Sequence, residues 1–321
     1  MKRVQLIFTS IILTACLVAC QKQISFEDGL GPTLPPSILG DSVHLDKLYF
    51  VDVTGGNETL SIATYHYDNL KRVDSIKEII RDNGSGPWQQ WYSVAYFYNG
   101  NDTLPFKSIS NHFESAVAFN DPSFTDTITT FHQYLPTGQN LSDSAILSLH
   151  YGDGSISSPF AYDRFRVVEH YQYQGNSMYR QATYTPIASN YLYPVTLALQ
   201  RDSAITDGNG NMLSSKHYSV SNNISTLEFT SSITYDNKVN PFSKISDFKT
   251  IKLFPEDFAD DVYIQSSKNR LYLKVTDANG NIEEDDRTGK YTYRNDGFPL
   301  KLLLQPQVGV TYAIVFTYKN L

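Results

Sequence analysis

Cysteine is nearly absent from this chain: there are two, Cys16 and Cys20, and none beyond residue 20. A domain built from the later residues therefore has no disulfide framework, no thiolate zinc site and no cysteine nucleophile. Methionine is scarce too, at 3 residues, whereas aromatics reach 13% and Ser, Thr, Asn and Asp are plentiful. That balance suits exported β-proteins better than helical ones. Positive charge is short, with 26 Lys and Arg against 33 Asp and Glu, so nucleic acid is not an expected partner. No His-x-His or His-x-x-x-His pair and no Gly-x-Ser-x-Gly occurs, so neither a zinc site nor a hydrolase elbow is signalled. Long apolar runs are missing after residue 19.

The one long apolar run, Val4 to Ala19, follows Lys2 and Arg3 and has the flanks and length of a secretory signal. It ends Leu17-Val18-Ala19-Cys20, which resembles the bacterial lipobox, where an aliphatic and two modest residues precede the cysteine that carries lipid. Leu13-Thr14-Ala15-Cys16 has the same form, but cleavage there would leave Leu17 and Val18 on the mature end. We therefore expect residues 1–19 to be a lipoprotein signal peptide and Cys20 the lipid attachment. Residues 20–41, with Gly29, Gly31, Pro32, Pro35, Pro36 and Gly40, read as a flexible tether. Residues 42–321 read as a β-rich extramembrane domain, in one piece or two subdomains.

Within that domain one unit recurs. Tyr291-Thr292-Tyr293 puts two rings on one face of a strand, and Asn295-Asp296-Gly297 tolerates the positive φ of a tight turn before Phe298-Pro299-Leu300 starts back. Relatives lie at Tyr65-His66-Tyr67-Asp68-Asn69, Tyr96-Phe97-Tyr98-Asn99-Gly100, Tyr171-Gln172-Tyr173 and Ile233-Thr234-Tyr235-Asp236-Asn237. Their separations of 31, 75, 62 and 58 residues are too uneven for a solenoid. The expected fold is all-β, a large antiparallel meander of β-hairpins forming a curved sheet or sandwich. A short helix is expected at 255–261, where Pro255 precedes acidic residues. Tyr-x-Tyr-Asp with its turn resembles the YD-type repeat, and the chain from about residue 225 is similar to uncharacterised Bacteroidota lipoproteins. The resemblance implies an outer-membrane, lipid-anchored location with either leaflet open, and implies no activity.

Candidate chemistry is thin. Asp207, Asn209 and Asn211, and Asp277, Asn279 and Asn281, alternate oxygen ligands as calcium loops do, but Met212 or Ile282 stands where the loop needs glycine. They read as hairpin turns, and no metal, cofactor or catalytic residue is expected. Trp88, beside Pro87, and Trp91 are the candidate ligand-binding residues, as a platform for sugar rings. The favoured function is a non-enzymatic lipoprotein that binds a glycan or an envelope protein, or has a structural role. The alternative is a lipid-anchored hydrolase acting on glycans through an acidic pair, from Glu256, Asp257, Asp260 and Asp261 or from Glu283, Glu284, Asp285 and Asp286. Asp-Ser or Asp-Thr before an aliphatic residue or alanine, as in Asp143-Ser144-Ala145 and Asp202-Ser203-Ala204, is similar to the O-glycan acceptor pattern of exported Bacteroidota proteins.

Overall fold

The computed structural model describes residues 43–54, 56–81, 86–113, 126–151, 161–189, 199–207, 211–221, 223–244, 267–287, 290–303 and 311–321. The signal peptide, Cys20, the tether and the expected helix at 255–261 lie outside the described residues.

The described residues form seventeen strands of one antiparallel sheet. They are β1 (Val43–Asp52), β2 (Glu58–Tyr67), β3 (Val73–Ile80), β4 (Gln89–Phe97), β5 (Lys107–His112), β6 (Asp126–Tyr134), β7 (Asn140–Tyr151), β8 (Ala161–Gln174) and β9 (Ser177–Ser189). Then follow β10 (Leu199–Thr206), β11 (Met212–Ser221), β12 (Ile224–Val239), β13 (Lys268–Asp277), β14 (Ile282–Arg287), β15 (Lys290–Tyr293), β16 (Pro299–Leu303) and β17 (Tyr312–Asn320). Each strand from β1 to β13 pairs with the next; β15 pairs with β16, β16 with β17, and β17 with β1, where Val43 faces Asn320. The expected meander and curved sheet are what the chain builds.

The directions alternate, which fixes how the run of strands ends. Counting forward from β1, β14 runs opposite to it; counting back through β17 and β16, β15 also runs opposite to it. Two consecutive strands of the same direction cannot lie side by side across a two-residue link, because a parallel pair needs a crossover of about a dozen residues. They are therefore not a laddered pair, although Arg287 and Lys290 lie within about 11 Å of each other. Tyr272 faces Arg287, and β13 extends four residues beyond it to Lys268. The sheet is rolled until its ends meet.

Rolling gives the sheet an inward face, and period-two alternation decides which side chains reach it. In β9, Met178, Arg180 and Ala182 are buried while Tyr179, Gln181 and Thr183 are exposed. Three apolar clusters line the inward face: Leu45, Tyr65, Val73, Ile76, Val94, Leu302 and Phe316 around β16, β17 and β1 to β4; Ala145, Leu147, Phe165 and Val167 on β7 and β8; and Tyr171, Met178, Ala204, Met212, Ile233 and Leu273 from β8 to β13. A 3-10 turn at Pro241–Lys244, after β12, packs Phe242 onto the first cluster.

The structure also explains the repeated Tyr-x-Tyr. The first position is core: Tyr65, Tyr171 and Ile233 are buried. The second is a clasp. Tyr67, Tyr98 and Tyr235, joined by Tyr134 and Tyr318, donate their hydroxyls to the carbonyls of Leu45, Val73, Met212, Pro105 and Pro299 at 2.7 to 2.9 Å. Each bond runs from in or just beyond the later part of one strand to the beginning of its partner or just before it, and the strands that carry or precede the five tyrosines run opposite to β1. The turns repeat as well. In Asp68–Arg72, Leu135–Gln139, Asp277–Asn281 and Arg294–Phe298, the first N–H donates to the fifth carbonyl and the fourth N–H to the first carbonyl. The fourth residue has positive φ in each, as Gly297 does at 89°. Removing one clasp as Tyr67→Phe leaves the buried Leu45 carbonyl without that donor and should cost about 1 to 2 kcal/mol, measured by chemical denaturation.

Candidate functional site

Three places on the rolled sheet bring polar or aromatic groups together. The largest is a row of charge on the inward face. His132, Asp143 and Glu169 face one another in register across β6, β7 and β8, and Tyr171, Arg180, Asp202 and His217 do the same across β8 to β11. Arg180 joins the two lines: Nε donates to Asp202 Oδ2 at 2.8 Å and a terminal nitrogen to Glu169 Oε1 at 3.2 Å. Tyr171 donates its hydroxyl to Glu169, and His217 Nδ1 lies 2.6 Å from Asp202 Oδ1. His132 Nδ1 lies 2.8 Å from Asp143 Oδ1, and its Nε2 lies 3.0 Å from Ser108 Oγ.

Burial sets the electrostatics here. It pushes the Glu169 carboxyl up to about 7, although the Arg180 guanidinium pulls the other way. It raises Asp143 too, against the opposing bond from His132. Arg180 is desolvated, yet the two carboxylates that face it hold it in the charged form.

Ser108, His132 and Asp143 stand in the order of a nucleophile, a base and an orienting carboxylate. Ser108, however, sits inside β5, facing Tyr96 on β4 and Thr130 on β6, so the surrounding backbone N–H groups are engaged in two ladders. An oxyanion needs donors aimed at it, and a residue in mid-sheet has no spare backbone pair to offer.

Sequence reading missed this row, although it left a signal. Glu169 lies between Val167 and Tyr171, Arg180 between Met178 and Ala182, and Asp143 two before Ala145: each is a charge inside an apolar stripe of period two. His132 was masked by its neighbour. An apolar Phe131 beside a polar His132 suggests that Phe131 faces the core, and the structure reverses this. Phe131 is 46% exposed and faces outward, where the Lys107 ammonium lies 5.5 Å from its ring and 5.2 Å from that of Phe97.

The second place is the β3–β4 hairpin. Trp88 is 40% exposed, and the Arg81 guanidinium lies 4.9 Å over its ring while Arg81 Nε donates to the Thr59 carbonyl. Trp91 is half-buried and does not share that surface. It is the extra residue of a bulge, since Glu78 faces Tyr92 and Ile79 faces Gln90. Trp91 and Tyr92, neighbours in β4, both lie edge-on to the His112 ring at 4.8 and 6.2 Å.

The third is a cavity of about 390 Å3 on the inward face of β1 to β4, with Phe242 from the 3-10 turn also in its wall. Register places Leu48, Ala63, Glu78 and Tyr92 in one line across its wall.

The remaining sequence candidates fall elsewhere. Asp277 Oδ1 accepts the N–H groups of Asn279 and Asn281 at 2.9 and 2.7 Å, so that loop is a turn held by an aspartate, and Asp207 Oδ1 accepts the Asn211 N–H at 3.0 Å. The Asn281 side-chain amide, which donates to Asp277 Oδ2 at 2.7 Å, holds Asp277 below the usual carboxylate range together with the backbone bonds from Asn279 and Asn281. Glu256 to Asp261 lie outside the described residues, and Glu283 to Asp286 belong to β14. Asp143 and Asp202 belong to the buried row, whereas Ser144 faces the outward Phe131 across the β6–β7 ladder.

No protein-family model matches the chain, and no curated protein matches it. Among solved structures, a porin-like protein from Bacteroides vulgatus is similar over 87% of this chain and 100% of its own, at 10% identity and a TM-score of 0.48. A porin-like protein from Bacteroides uniformis covers 86% of this chain and 98% of its own, also at 10% identity, with a TM-score of 0.41. Likenesses this distant carry no functional argument.

The Glu169 carboxyl yields a pH prediction. A carboxyl raised from 4.5 to about 7 on folding binds its proton more tightly in the folded state. The stability it contributes is full below pH 4.5 and is lost as the pH rises towards 7. The melting temperature should therefore fall across that window, and Glu169→Gln should flatten the fall.

Proposed function

We propose that the chain is a lipid-anchored outer-membrane protein, of the kind that its Tyr-x-Tyr-Asp hairpins resemble in Bacteroidota, whose β-domain stands outside the bilayer and works as a binding module rather than an enzyme. The observation that carries this reading is the polarity of the outward face of β8 and β9. Arg164, Arg166, His170, Gln172, Gln181 and Thr183 are exposed there, and Tyr179 and Ile187 interrupt them without forming a continuous apolar band. Strands that cross a bilayer present an apolar band outward, about 25 Å tall. A domain faced this way needs another means of staying at a membrane, and the lipobox ending at Cys20 supplies one. The partner on this reading is a glycan, received at the exposed indole of Trp88, which Arg81 orients.

The hydrolase reading has one observation in its favour, the Ser108–His132–Asp143 order. A binding module should leave Ser108 unlabelled by a fluorophosphonate probe, and labelling that Ser108→Ala abolishes would replace this proposal with a serine hydrolase.

Mass spectrometry of the mature N-terminus should find a lipidated Cys20, and Cys20→Ser should release the protein from membranes. Retention of lipid label in that variant would move the anchor to Cys16. On a glycan array, Trp88→Ala should weaken binding several-fold, about 1 kcal/mol, with no loss of melting temperature. Trp91→Ala, which removes the ring lying against His112, should lower the melting temperature instead.

A further inference from the structure

The cavity behind β1 to β4 has an unusual wall. Five aromatic side chains line it, Phe50, Tyr65, Tyr92, Tyr96 and Phe242, and they share it with a single carboxylate, Glu78. Among the described residues the Glu78 carboxylate has no hydrogen bond and no ion pair. The Tyr65 hydroxyl likewise makes no hydrogen bond among the described residues. Both residues line the cavity, Glu78 half-buried and Tyr65 buried.

We infer that this cavity is a binding site for a small organic ammonium ion. The wall excludes the other ligand classes in turn. A neutral apolar molecule would desolvate Glu78 and offer it nothing. An anion would meet a carboxylate with no cationic side chain in the wall. A hard metal ion requires six or more oxygen ligands, or near-octahedral geometry, and the wall offers one carboxylate, the Ser61 hydroxyl and tyrosine hydroxyls among aliphatic and aromatic side chains. An alkylated ammonium fits each part. Its methyl groups bury against Leu48, Ile76 and Ile314, its charge is attracted by the electron-rich ring faces and neutralised by Glu78, and a hydroxyl or carbonyl on the same molecule can accept from Tyr65. The volume suits a ligand of that size. The site is separate from Trp88 and independent of the anchor.

Isothermal titration of the purified full chain with choline, and with 3,3-dimethylbutan-1-ol as a neutral molecule of the same shape, tests the inference. Choline should bind saturably, and the neutral molecule about tenfold or more weaker, the step expected when cation–π and ion-pair attraction are lost. Glu78→Gln should reduce choline affinity about tenfold with an unchanged melting temperature. Tyr65→Phe should weaken binding less and keep the preference for charge. Equal affinity for the two molecules, no saturable binding of choline, or an affinity indifferent to Glu78→Gln would each overturn the proposal. Should Glu78→Gln fail to fold, the comparison of the two molecules on the unaltered protein still decides.

Discussion

Two residues separate Arg287 from Lys290, and that link ties a strand paired with β13 to one paired with β16. Because the two strands run the same way, the link cannot fold them into a ladder, and it brings the two ends of the run of seventeen strands close together. A sheet bound in this manner cannot stay flat, and its inward face is withdrawn from water along its length. Much else follows from that withdrawal: the apolar clusters, the tyrosine hydroxyls that satisfy strand-end carbonyls, and the need for each inward charge to meet a partner.

The inward face answers that need in two ways. From β16 through β4 it is mainly apolar and aromatic, and it leaves room. From β6 to β11 it is crossed by carboxylates, histidines and one arginine in register. A buried ion pair seldom adds net stability over an apolar pair of the same size, yet losing one partner costs about 3 to 5 kcal/mol. Arg180 with Glu169 and Asp202 therefore specifies which strands lie together more than it stabilises their union. Only β8, β9 and β10 in this register let one guanidinium reach both carboxylates.

What could be read from the sequence was local. Tyr291-Thr292-Tyr293 before Asn295-Asp296-Gly297 is enough to write down a strand and a turn, and the structure stacks the two rings 5.6 Å apart before a glycine with φ of 89°. Asp277 and Asn281 declared their turn equally well. The clasp could not be read, because a tyrosine hydroxyl that reaches Leu45 from Tyr67 depends on a ladder that spans 22 residues. The rolled sheet was out of reach for the same reason, since nothing in Val43 or Asn320 names the other. Phe131 and Trp91 show a further limit: alternation tells which residues share a face, but a bulge or a covering lysine decides which face is inside. The cavity lies beyond local reading altogether, since its wall draws on residues from Leu48 to Ile314.

The pairing of β1 with β17 also sets an order of events. The Lys47 N–H donates to Thr317 across 270 positions of chain, while the other edge of β1 is satisfied by β2 after a short turn. During synthesis β1 thus waits with one edge bare until the last strand appears. Contacts of such long sequence separation slow folding, and a bare edge meanwhile is a template for another chain. For this architecture the hazard is greatest just before β17 is made, when the other strands are in place and any neighbour with an unpaired strand competes with β17 for β1.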